Sequence, residues 1–76
     1  MNGAQCRMAR AALNWRVSDL AKRASVSTET VVRIEHGAEL RPRTVAALRE
    51  VFEAEGLRFF EADAEAGVAI RKDPPG

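Results

Sequence analysis

Between Val17 and His36 the chain carries a pattern that few folds accommodate: two short amphipathic segments separated by only three residues. Leu20, Ala21 and Ala24 recur at helical spacing, so Val17 to Ala24 reads as a helix. Ser25-Val26-Ser27 makes the turn. The second segment, Thr28 to about His36, is expected to bury Val31 and Ile34 and to expose Thr28, Glu29, Thr30 and Arg33. Ser27 can cap it by accepting a hydrogen bond from a first-turn N–H, worth about 1 kcal/mol. Gly37 suits the left-handed position that closes a helix. Two helices joined this tightly cross steeply, which requires a small residue at Ala21, where the second packs across the first. Leu20, Ala24, Val26, Val31 and Ile34 must be apolar to form the seam. All six positions comply.

The flanking sequence extends this helical reading. A first helix is expected over Gly3 to Leu13, with Cys6, Ala9 and Leu13 at helical spacing and Met8 and Ala12 broadening the apolar stripe. Asn14 tolerates left-handed backbone and ends it; Trp15 then supplies a large apolar anchor for the core. After a basic loop, Glu39 to Arg43, Thr44 is expected to cap a helix that turns Val45, Leu48, Val51 and Phe52 inward and stops at Gly56. The period then changes. Leu57 to Glu61 and Val68 to Arg71 alternate in the strand manner, joined by residues 62–67, which predicts a β-hairpin. The expected organisation is a helical domain over 1–56, a hairpin over 57–72 and a disordered tail over 73–76. The fold class is mainly α: four to five helices with a C-terminal β-hairpin or strand pair.

A chain of 76 residues makes one domain. Domains of this size bury only about 60% of their unfolded surface, so a partner chain would add stability. No apolar run approaches the roughly 20 residues that span a bilayer. Met1 to Arg7 lacks the basic-then-apolar order of a signal peptide, so a cytoplasmic location is expected. Cys6 is the only cysteine, which excludes an intrachain disulfide and a thiolate metal cage; no metal or cofactor is expected. Cys6 and the sole histidine, His36, fall in different helices with no third member of a triad, and no glycine-rich phosphate loop is present. That argues against an enzyme. The net charge of +1 conceals an asymmetry: Met1 to Arg43 holds eight basic and four acidic residues, the remainder four basic and seven acidic. A basic front and an acidic rear suit a protein that presents one face to a polyanion.

The residues Arg10, Leu13, Trp15, Leu20-Ala21-Lys22-Arg23-Ala24, Val26-Ser27, Thr30-Val31, Arg33-Ile34-Glu35-His36-Gly37 and Arg41-Pro42 resemble the helix-turn-helix of the Cro and phage-repressor type, the Xre-like family. The resemblance covers roughly Gln5 to Gly56. It implies a repressor-like bundle that binds operator DNA, usually as a dimer, and a bacterial, nucleoid-associated transcriptional regulator. It also implies an ion pair between Arg10 of the first helix and Glu35 at the end of the third, fixing how that helix sits. Two departures stand out. Ser25 occupies the turn where the family commonly has Gly, so the turn must tolerate a side chain. Arg16-Val17 replaces the usual Ser/Thr-Gln, which removes a DNA-backbone contact and leaves Arg16 as the phosphate clamp.

On this reading the outer face of the third helix decides sequence preference. Arg33 can take guanine O6 and N7 as a bidentate pair; Glu29 can accept from the N4 amino group of cytosine; Thr28 can touch a thymine methyl or a phosphate. Glu29 has a second role open to it, as a first-turn acid favoured by the helix dipole. Ser27, Thr30, Arg41 and Arg43 are candidates for the DNA backbone, the two arginines flanking Pro42 in the basic loop. His36 can donate to a phosphate or simply suit the helix C-terminus. One such domain covers about 600–1,000 Å² of DNA, so a homodimer on a palindromic operator is expected, with half-sites about 34 Å apart. Phe59, Phe60, Val68 and Ile70 exceed what a hairpin alone can hide, making the segment after Gly56 the candidate dimer element. The alternatives are a hairpin packed on its own helices, or an antitoxin-like or adaptor role in which this segment binds a partner protein.

Overall fold

The computed structural model describes residues 1–62 and 65–70. Four helices precede two strands: α1 (Gly3–Leu13), α2 (Val17–Ala24), α3 (Thr28–Glu35), α4 (Pro42–Ala54), β1 (Leu57–Ala62) and β2 (Glu65–Ile70). The strands pair antiparallel, so the chain has the mainly helical architecture with a C-terminal hairpin that its hydrophobic periods imply. Among the described residues no helix is long and apolar enough to cross a membrane.

Local chemistry accounts for the helix ends. α1 opens on a reciprocal cap: Gln5 N–H donates to Asn2 Oδ1 at 2.8 Å, and Asn2 N–H donates to Gln5 Oε1 at 2.9 Å. α1, α2 and α3 each close on a left-handed residue, Asn14 (φ 57°), Ser25 (φ 56°) and Gly37 (φ 91°). The next N–H then folds back five residues, from Trp15 to Arg10 O (2.9 Å), Val26 to Ala21 O (3.0 Å) and Ala38 to Arg33 O (3.0 Å). Each closure satisfies otherwise unpaired carbonyls and reverses the chain within a few residues. The turn before α3 therefore keeps its left-handed bend with a serine in place, at some steric cost.

α4 begins two residues before Thr44. Pro42 takes the first helical position, where its missing N–H is no loss and its fixed φ suits the helix. Arg43 consequently belongs to the first turn of α4 and not to a loop, while Arg41 is the residue just before it.

The core comprises Cys6, Ala9, Leu20, Ala21, Val31, Ile34, Leu48, Phe52 and Leu57. Phe52 is its aromatic centre, stacked on Trp15 at 5.8 Å between ring centroids and tilted against Phe59 at 5.9 Å. The buried face of α1 is Gln5, Cys6 and Ala9; Met8 and Ala12, expected to widen it, face outward. Gln5 can sit inside because both ends of its amide are used, the Oε1 in the cap and Nε2 donating to Phe60 O at 2.9 Å. Gly3 lies against the last turn of α3, where a Cβ would collide with Ile34 O and approach Glu35 Cα.

The strands run further into the connection than the alternation of side chains indicates. Ala62 and Glu65 to Gly67 join the ladder, with Phe59↔Val68, Phe60↔Gly67 and Ala62↔Glu65 in register. Gly67 interrupts the apolar alternation without interrupting backbone pairing. Arg71 and the tail expected over 73–76 lie outside the described residues.

Candidate nucleic-acid interface

α3 divides cleanly by burial. Val31, Ile34 and Glu35 face the protein, while Thr28, Glu29, Val32 and Arg33 are exposed. Its start is held by Ser27 Oγ, which accepts from Thr30 N–H at 3.1 Å. The Ser27 and Thr30 hydroxyls also lie 2.9 Å apart. Thr30 is half-buried and not exposed as expected: its hydroxyl meets the cap, and it lines a groove beside α3.

That groove, about 420 Å³, is lined by Thr30, Arg33, Glu39, Leu40, Arg41 and Thr44. It brings Arg33 of the helix and Arg41 of the following segment to one concavity, with Glu39 as the acidic member. Arg16 is exposed ahead of α2, its backbone N–H donating to Asp19 Oδ2 at 2.8 Å. Arg43 is exposed in the first turn of α4. Among the described residues, none of Arg16, Arg33, Arg41 and Arg43 forms an ion pair. His36 is also exposed but opens on a separate groove of about 370 Å³, shared with Asn2, Gly3, Ala4, Arg7 and Gly37.

Behind this face sits a buried polar clamp. Arg10 Nε and Nη2 each donate to a Glu35 carboxylate oxygen at 2.7 Å, and Nη1 donates to Trp15 O at 3.1 Å. Cys6 Sγ donates to Glu35 Oε2 at 3.3 Å, and Arg7 Nη1 to Glu35 O at 2.8 Å. Burial alone would raise the Glu35 carboxyl. Hydrogen bonds from Arg10 and Cys6, with the charges of Arg10 and Arg7, overrule it and hold the group below its ordinary value. The carboxylate in turn pushes the Arg10 guanidinium up, and burial followed by the Glu35 hydrogen bond pushes the Cys6 thiol up to about 12. α3 is thus tied to α1 through three side chains at its C-terminal end.

The four hydrophobic residues of the hairpin do not form one surface. Phe59 and Val68 are half-buried and pack on the core, whereas Phe60 points from the opposite face and is 48% exposed. The side chain of Ile70 lies outside the described set. Two residues that carried no expectation hold the structure here: Arg7, one helical turn before Arg10, which ties α1 to Glu35, and Gln5, signalled only by the Asn2-to-Gln5 capping spacing.

The helix-turn-helix family model (HTH_3), of the Cro/C1 type, matches residues 7–58. The chain belongs to this family of DNA-binding regulators. No curated protein sequence matches the chain.

Proposed function

We propose that the protein is a sequence-dependent regulator that binds operator DNA as a homodimer, with α3 in the major groove, and represses by occupying the site. The observation that carries this is the outer face of α3: exposed, polar apart from Val32, backed by a rigid clamp and bordered by arginines that are not spent on ion pairs within the described chain. Thr28, Glu29 and Arg33 read base edges. Arg16, Ser27, Thr30, His36, Arg41 and Arg43 contact the backbone and set register without carrying sequence information. With Pro42 fixing the start of α4, Arg41 and Arg43 lose little freedom on binding. Two copies place two α3 helices about one helical turn apart, and the acidic rear of each copy faces away from the duplex.

The hairpin is the proposed contact between copies. Phe60 at 48% exposure supports an interface there, as does the adjoining groove of about 350 Å³ lined by Met1, Gln5, Arg49, Phe59 and Phe60. The same surface supports the second reading, an antitoxin-like or adaptor protein whose hairpin is covered by a different chain. Selection of bound sequences from a random duplex pool at stated salt tests the proposal. A two-fold symmetric motif is expected; retention of the pool without enrichment contradicts it. A dimer mass in solution separates the homodimer from a chain that associates only with another protein.

A further inference from the structure

Val32 is a large aliphatic side chain on the polar face of α3, 39% exposed. It is not among the half-buried residues that pack on the core. With 3.6 residues per turn, Val32 falls between Thr28 and Glu29 around the helix and one turn further along, so it lies on the outer face. Thr28, Glu29 and Arg33 share that face with it. The fold rewards this choice only in part: the covered portion of Val32 gains burial, but its exposed methyl surface gains none, and β-branching lowers helix propensity slightly. A polar or long-chain residue would serve a solvated helix better.

We propose that Val32 is a specificity-determining residue that packs against the 5-methyl group of a thymine in each half-site. This rests on the major-groove reading above. The thymine methyl is the one apolar feature that base pairs display in the major groove, and apolar side chains on a recognition element are its natural contact. Val32 supplies that surface between neighbours with the donors and acceptors that read purine and cytosine edges. Val32 carries no polar atom to reward another base, and its branched methyls favour a methylated pyrimidine over an unmethylated one.

Uracil in place of thymine removes only this methyl and leaves pairing intact. Using the duplex obtained by selection, each thymine is replaced in turn by uracil, and binding is measured for the full chain and for Val32→Ser. Val32 is exposed and outside the core, so the variant folds; circular dichroism checks it. The full chain is expected to lose about three- to fivefold in affinity at one thymine per half-site, the worth of one methyl taken out of water. Val32→Ser is expected to bind thymine and uracil duplexes equally at that position, and 5-methylcytosine there should bind the full chain better than cytosine. Indifference of the full chain to uracil at every position overturns the assignment, as does a uracil penalty that persists in Val32→Ser; in both cases the major-groove reading stands on its selected motif. Failure to bind any duplex at low salt removes that reading and the assignment with it.

Discussion

Arg10 on α1 and Glu35 at the end of α3 face each other as a fork against a carboxylate, with both donor–acceptor distances at 2.7 Å. Glu35 is the more deeply buried partner, its side chain 6% exposed against 20% for Arg10. Removing Arg10 leaves a buried carboxylate with the Cys6 thiol as its side-chain donor and only the charge of Arg7, which bonds the Glu35 backbone carbonyl, to balance it. Arg10→Ala is expected to lose roughly 3–5 kcal/mol of stability in urea or thermal melts, the usual cost of breaking a buried pair from one side. DNA affinity should fall with the folded fraction, while molecules that remain folded keep the parent's sequence preference.

The same clamp sets a pH window. The Glu35 carboxyl is held below its ordinary value in the folded state, so its contribution is fully present above the unfolded value and is lost as pH falls through the folded one. The thiol of Cys6 is shifted the other way, to about 12 from 9.0. Its contribution is fully present below pH 9.0 and fades between 9.0 and about 12. Stability should therefore be level through the neutral range, fall on the acid side below about 4.5, and fall again above about 9. Glu35→Gln should show a flatter acid limb in melts taken across pH, from a lower plateau.

Gly3 and the last turn of α3 are in backbone contact, and a Cβ at Gly3 has no room beside Ile34 O. Neither partner is a flexible side chain that can swing away. Gly3→Ala is expected to destabilise by about 1–3 kcal/mol despite alanine's better helix propensity. A melt that shows Gly3→Ala more stable than the parent would contradict this packing.

Ser25 carries a φ of 56° in the turn between α2 and α3. A side chain there meets a steric penalty that glycine avoids, partly offset by glycine's larger loss of freedom on folding. Ser25→Gly should raise stability by about 0.5–1 kcal/mol, seen as a melting temperature several degrees higher. DNA preference should not change, since the backbone already has the conformation glycine would adopt.

These sites also show what was legible in the residues themselves. The bounds of α1 and α2 follow from apolar spacing and from Asn14 and the Ser25-Val26-Ser27 turn, because local chemistry alone decides them. The pairing of α2 with α3 follows from Ala21 and the apolar seam. Where a choice depended on distant partners, the sequence was ambiguous. Gln5 is buried because its amide meets Phe60 O, 55 residues away, a contact no local pattern encodes. Thr44 reads as the cap of α4, but Pro42 fits the first helical position, so the helix takes in part of what reads as a basic loop. The outer face of α3 was legible in outline, from Thr28, Glu29 and Arg33. The half-burial of Thr30, beside Leu40 and Arg41 of the following segment, was not, since it depends on how the chain returns past α3.

In the proposed complex the exposed side of α3 lies against base edges while Arg41 and Arg43 hold phosphates. Repeating the selection with Arg33→Ala and Arg43→Ala tests it most directly, because both side chains are exposed and neither change should affect folding. Arg33→Ala is expected to relax preference at one base pair per half-site by about 1–3 kcal/mol and leave the rest of the motif intact. Arg43→Ala should weaken every sequence alike and reduce the salt slope by about one unit. An Arg33→Ala motif identical to the parent's at every position would mean that this face of α3 does not read the base assigned to it.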